Sequence, residues 1–202
     1  MDISMLYHAS AETQNLMDEI VAQAQRGDKE AFGVIFEQHH RFIYKFIYAM
    51  LGDHGLAEEL TQETFLGAYK NLHSLRSEAA LKTWLCSIAK NTVYKSFRSR
   101  RKEGKQSEEE VETLDLVDYK NPLPDEKIIN QELNTRIGAA LANLDEDKRV
   151  VFILKEIQQL SYNEIAEITG DAIPKLKTDL FRAKAKMRTM LQPYLEVKKN
   201  EL

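Results

Sequence analysis

The chain has one cysteine among 202 residues, Cys86, which excludes an internal disulfide and a zinc site built on several thiolates. Long apolar runs are missing too. None approaches the roughly 20 residues of a spanning helix, and the N-terminus lacks a signal-peptide core. A cytoplasmic protein with no membrane insertion of its own is expected. Glycine (8) and proline (4) are few, and strand-like alternation is hard to find. Long helical periodicities fill the chain instead, so the expected class is all-α. No Gly-rich phosphate loop or nucleophile elbow appears. His39 and His40 are adjacent, hence on different helix faces, and have no partners at ligand spacing. Cys86 follows Leu85 in a helical pattern and reads as a packed residue rather than a reactive one. No metal, no cofactor, no catalytic residue and no enzymatic activity are expected.

What is present is strongly segregated charge on a net −4 background. From Leu160 to Arg188 the pattern is a helix, a sharp turn and a second helix. Ile165, Ala166 and Ile168 form the inner face of the first, and Ser161 with Glu164 three residues on forms a capping box. Gly170 and Asp171 break the period. Leu176, Leu180, Ala183 and Met187 then recur as one buried stripe, opposite Lys175, Lys177, Thr178, Arg182, Lys184, Lys186 and Arg188. This is a helix-turn-helix whose second helix is charged for a phosphate backbone, set against the plainer alternative of a solvated basic hairpin.

In the N-terminal half, helical pattern begins at Asp18 and breaks at Gly27-Asp28, where Asp28 can cap the next helix. That helix carries Phe32, Ile35, Phe36, His39, Phe42, Ile43, Phe46, Ile47 and Met50, a stripe that reads as core rather than as a base-stacking platform. The next, Gly55 to Leu72, turns Leu56, Leu60, Ala68 and Leu72 inward. It presents Glu58, Glu59, Gln62, Glu63 and Leu66 on the other side. Such an acidic face with an apolar spot suits a basic helical partner, although spacing alone equally describes a solvated face. After a polar loop, Leu75-Arg76-Ser77-Glu78, a helix from Ala79 to about Arg100 grows steadily more basic. Its C-terminal cations suit the helix dipole, yet Asn91, Tyr94, Lys95 and Arg98 share one stripe of base-competent residues.

Glu103 to Glu126 then changes sign, with Glu108, Glu109, Glu110, Glu112, Asp115 and Asp118 ahead of Asn121-Pro122-Leu123-Pro124. No apolar period survives there, so a flexible acidic linker is expected between two small helical domains. The resulting division is a tail 1–17, a first domain 18–102, the linker 103–127, a second domain 128–195 and a tail 196–202. In the second domain Asp145 is expected to cap a helix over Lys148 to Gln158, whose Val151, Leu154 and Ile157 pack under the helix-turn-helix.

Two helical domains in this order, each with a basic helix, resemble the bacterial RNA polymerase sigma factors of the extracytoplasmic-function (ECF) group in the sigma-70 family. The resemblance is carried by Ala57-Glu58-Glu59-Leu60-Thr61-Gln62-Glu63-Thr64-Phe65, Lys82-Thr83-Trp84-Leu85 and Ile88-Ala89-Lys90-Asn91. It continues in Leu160-Ser161-Tyr162-Asn163-Glu164-Ile165-Ala166-Glu167-Ile168 and in Lys177 to Ala183. It implies a non-enzymatic factor that binds core RNA polymerase, directs it to promoter DNA and helps open the duplex, and that is held silent by an anti-sigma factor. It also implies roles. Glu59, Gln62 and Glu63, with Leu66 as the apolar spot, would meet the polymerase clamp helices. The loop around Leu75, Arg76 and Ser77, with Asn91, Tyr94, Lys95 and Arg98, would hold the −10 strand and an extruded base. Lys175, Lys177, Thr178, Asp179, Phe181 and Arg182 would read the −35 major groove. Pro174 and Asp179 depart from the family's usual Gly-Thr-Val-Lys-Ser-Arg entry. Pro174 is tolerable in a first turn, whereas a carboxylate among phosphates needs a cytosine amino group, Lys175 or Arg182 as partner. The alternative, a stand-alone helix-turn-helix regulator, accounts for residues 145–190 and leaves 55–101 without a task.

Overall fold

A computed structural model describes residues 16–75, 77, 80–102 and 124–200, with the backbone alone for 124–132 and 195–200. The chain order is α1 (16–25), α2 (Lys29–Leu51), α3 (His54–Asn71), a 3-10 turn (Leu72–Ser74) and α4 (Leu81–Lys102). There follow α5 (Pro124–Ala142), α6 (Glu146–Phe152) continuing through a π-helical turn (Ile153–Ile157), α7 (Tyr162–Thr169) and α8 (Ile173–Asn200). Among the described residues there is no strand, as the periodicity implied.

Local chemistry sets most boundaries. The Asp28 carboxylate accepts from the Glu30 and Ala31 amides and starts α2. Gly52 ends that helix in the left-handed region at φ 76°, which costs a residue without Cβ little, and Asp53 caps α3 through the Leu56 amide. At the start of α7, the first helix of the helix-turn-helix, both halves of the expected capping box form: Ser161 Oγ accepts from the Glu164 amide, and the Ser161 amide donates to Glu164. Pro174 sits in the first turn of α8, where its missing N–H is unneeded.

Some boundaries differ from the sequence reading. α5 begins at Pro124, so residues 124–127 belong to a helix rather than to the linker; the rest of the expected linker, 103–123, lies outside the described residues. Residues 16–17 are already helical, and α8 runs through Pro193 to Asn200, so neither expected tail keeps its boundary. Asp145 occupies the N-cap position of α6 but makes no side-chain cap; its carboxylate is drawn onto Lys148.

α1 to α4 enclose one apolar centre containing Ile35, Ile43, Phe46, Ile47, Leu60, Phe65, Leu81 and Leu85, all buried. α5 to α8 extend the same core with Leu141, Val151, Leu154, Leu160, Ile165 and the stripe Leu176, Leu180, Ala183 and Met187. The two units do not stand apart. α2 packs on α5 and on the π turn, and α4 packs along α7.

Candidate polymerase-docking and nucleic-acid faces

α2 and α3 leave an open groove of about 660 Å³ on the first unit, lined by Phe32, Phe36, Gln62, Phe65, Leu66 and Tyr69. Its floor is aromatic and ordered: Phe36 meets Phe65 edge-on at 4.9 Å and Phe32 meets Tyr69 at 5.0 Å. Leu66 is 61% exposed at its rim, a large apolar side chain with nothing over it. Glu58, Glu59, Gln62 and Glu63 are all exposed on the same helix. The four residues expected to meet the polymerase therefore share one surface, apolar at the centre and acidic at the edge. A core-and-rim arrangement of that kind suits a helical partner.

The second face is built on α4 and the turn before it. Asn91, Lys95 and Arg98 are exposed, and so is Ser77 in the turn; Arg76 lies outside the described residues. Leu75 is different: only 7% exposed, it faces the core. Its carbonyl and that of Leu72 both accept from Gln25 Nε2 at 3.1 Å, so a residue of α1 pins the turn. The sequence offered no signal for Gln25, a lone amide at a helix end. Tyr94 also departs from a simple exposed stripe. It is half-buried, and its hydroxyl donates to Asp147 Oδ1 of α6 at 2.8 Å. Burial and that carboxylate both push its pKa well up. Lys95 reaches Glu63 at 2.9 Å.

The third face is the outer side of α8. Lys177, Thr178, Phe181 and Arg182 are exposed, Phe181 by 74%. Lys177 also lies 5.6 Å from the Tyr162 ring centroid, which steadies it near the turn. Lys175 is otherwise engaged: its ammonium sits 2.6 Å from Asp171 and 3.2 Å from Asp179, and these carboxylates raise its pKa. Of the partners open to Asp179, the structure selects Lys175. The Asp179 carboxylate is thus paired with a lysine of its own helix.

Cys86 is fully buried, and burial pushes its thiol up to about 12, so it is packing material. Among the described residues no cluster of His, Cys, Asp or Glu is arranged to hold a metal ion, and no helix is long and apolar enough to cross a membrane.

Comparison with known proteins bears on both units. The family model for Sigma-70 region 2 matches residues 35–103, and that for Sigma-70 region 4 matches residues 134–187. The ECF RNA polymerase sigma factor SigW of Bacillus subtilis is 30% identical over 177 residues, covering 85% of this chain and 95% of that one. The RNA polymerase sigma-H factor of Pseudomonas aeruginosa is 28% identical over 188 residues, covering 91% and 97%. Among solved structures, the sigma factor RpoE bound to the anti-sigma factor NepR from Bartonella quintana superposes with a TM-score of 0.63 at 25% identity, over 80% of this chain and 96% of that one. CnrH, solved with the cytosolic domain of CnrY, shares the fold with a TM-score of 0.66 at 21% identity, over 88% and 98%.

Proposed function

The chain belongs to the ECF group of the sigma-70 family, and from that premise we propose how its surfaces divide the work of a promoter-directing subunit of RNA polymerase. It binds core RNA polymerase and directs initiation at promoters; the assignment of that work to particular residues is our reading.

The groove between α2 and α3 takes the polymerase. Leu66 and the aromatic floor supply the apolar contact, and Glu59, Gln62 and Glu63 steer and orient a basic helical partner. The exposed Leu66 over a preformed aromatic groove is the observation that carries this assignment.

The turn 72–75, Ser77 and the exposed side of α4 take the −10 strand, with Asn91, Lys95 and Arg98 as contacts and with Gln25 and Leu75 holding the turn in place. Extruding a base costs a few kcal/mol, which stacking and phosphate neutralisation there must offset. On α8, Arg182 and Lys177 suit guanine and phosphate. Phe181 suits a thymine methyl. No catalysis belongs to the chain itself in this reading, which works where transcription does, in the cytoplasm. As for the relative RpoE, solved in complex with the anti-sigma factor NepR, an anti-sigma factor is among its partners.

Co-elution of the purified chain with core polymerase tests the docking assignment. Wild type should form a stable complex. Leu66→Glu should weaken it by about tenfold or more, as expected when a central apolar anchor is lost, with little change in thermal stability. Retention of full affinity by Leu66→Glu would remove the groove from the interface.

A further inference from the structure

The α2 wall of the docking groove has a gap that the fold itself does not call for. Gly33 lies inside the 23-residue α2 and lines the groove together with Phe32, Phe36, Leu66 and Tyr69. A glycine inside a helix is destabilising relative to alanine, and left-handed backbone or a close neighbour is the usual structural reason for one. Neither applies at this position. The described glycines with positive φ are Gly27, Gly52 and Gly170, and a Cβ built on Gly33 meets nothing within 4 Å among the described residues. Gly67, inside α3, is different: a Cβ there would stand 3.7 Å from Ile88 of α4.

The gap is also held open. Phe32 and Phe36 flank Gly33 on the same wall, and each is braced from α3. Phe32 meets Tyr69 edge-on at 5.0 Å, and Phe36 meets Phe65 at 4.9 Å with His40 stacked on its other side at 5.0 Å. Rings engaged in this way are not free to swing over the glycine. Lys29 and Glu37, four residues before and after it, are exposed and line the same groove, and Leu66 stands 61% exposed on the α3 wall. The gap is therefore a notch with apolar sides and a polar frame.

We propose that the notch at Gly33 receives one large apolar side chain, of the size of leucine, methionine or phenylalanine, from the basic polymerase helix that the groove binds. The acidic edge formed by Glu59 and Glu63 attracts any basic helix. The notch admits only a helix whose apolar residue falls opposite Gly33, so it fixes the register of docking and excludes other basic helices. Gly33 is thus a specificity-determining residue, kept small for the partner at a cost to the helix. This deepens the docking assignment made above and rests on it.

The test uses the full chain in competition with labelled wild type for core polymerase, beside thermal unfolding of each variant. Gly33→Ala should raise the unfolding midpoint by about 1–4 °C, because alanine favours the helix and its Cβ meets nothing. Gly33→Leu fills the notch and should weaken core binding by about tenfold or more, with a midpoint no lower than that of wild type. Gln38→Leu adds the same side chain at an exposed position of α2 outside the groove and should bind as wild type does. A lowered midpoint in Gly33→Ala overturns the proposal, since the fold itself would then require the glycine. Equal loss in Gln38→Leu overturns it as well. Full core affinity in Gly33→Leu beside a weakened Leu66→Glu removes the notch and leaves the groove in place. Full affinity in both variants removes the docking assignment, and the notch with it. Self-association of wild type on sedimentation that Gly33→Leu abolishes, with core affinity unchanged, would give the notch to a second copy of the chain and overturn the proposal.

Discussion

Lys95 of α4 lies 2.9 Å from Glu63 of α3, joining the helix assigned to the promoter strand to the helix assigned to the polymerase. Both side chains are largely in solvent, 77% and 46% exposed, so the pair itself contributes little to stability. Its interest is positional. Under the proposed assignment, a partner that takes Glu63 frees the Lys95 ammonium for a phosphate.

Lys95→Ala should therefore leave folding nearly unchanged, within about 1 kcal/mol by thermal or urea unfolding, while lowering promoter opening at unchanged core affinity. Permanganate footprinting of the melted region with saturating polymerase reads the difference. Wild-type opening by Lys95→Ala would remove Lys95 from the strand-holding surface.

At the entry to α8, the Lys175–Asp179 pair makes the local charge close to neutral where a −35 reader is ordinarily basic. Asp179→Arg should strengthen duplex binding and alter sequence preference, with the salt dependence of log K steepening by about 0.9 for one added phosphate contact. Binding across a promoter library at several salt concentrations checks both. An unchanged profile would show that position 179 does not meet the groove.

Glu164 supplies the pH prediction. The Ser161 hydroxyl and amide hold its carboxyl below the usual carboxylate range. Its pKa is lower in the folded than in the unfolded chain. The stability it brings is therefore present above the ordinary carboxylate range and disappears as pH falls through the depressed folded value. Glu164→Gln should lower the unfolding midpoint at neutral pH and flatten its fall between about pH 5 and 3. Ser161→Ala should cost about 1 kcal/mol at pH 7. Parallel pH profiles for wild type and Glu164→Gln would contradict this.

Features written locally were legible in the sequence. The Asp28 cap, the Ser161–Glu164 box, the break at Gly170 and the buried stripe of α8 each depend on residues within a turn or two. The exposed acidic face of α3 followed from the same periodicity, though only resemblance gave it a partner. The start of α5 was misplaced because the acidic run ahead of it masked a genuine start signal: Pro124 at the first helical position with Asp125 and Glu126 behind it, the order a helix N-terminus favours. Contacts between distant parts left no trace. Tyr94 and Asp147 are 53 residues apart, Arg149 and Met50 are 99 apart, and neither pairing has a periodic signature. Leu75 read as part of a polar loop, because nothing nearby announces that its side chain turns inward.

Run-off transcription with purified core polymerase on a promoter library tests the central claim most directly. The account predicts initiation at a defined subset of promoters, each start preceded by a shared −10 and −35 pair, and dependent on the added chain. With a core preparation shown to be active, transcription no higher than that of core alone would contradict it.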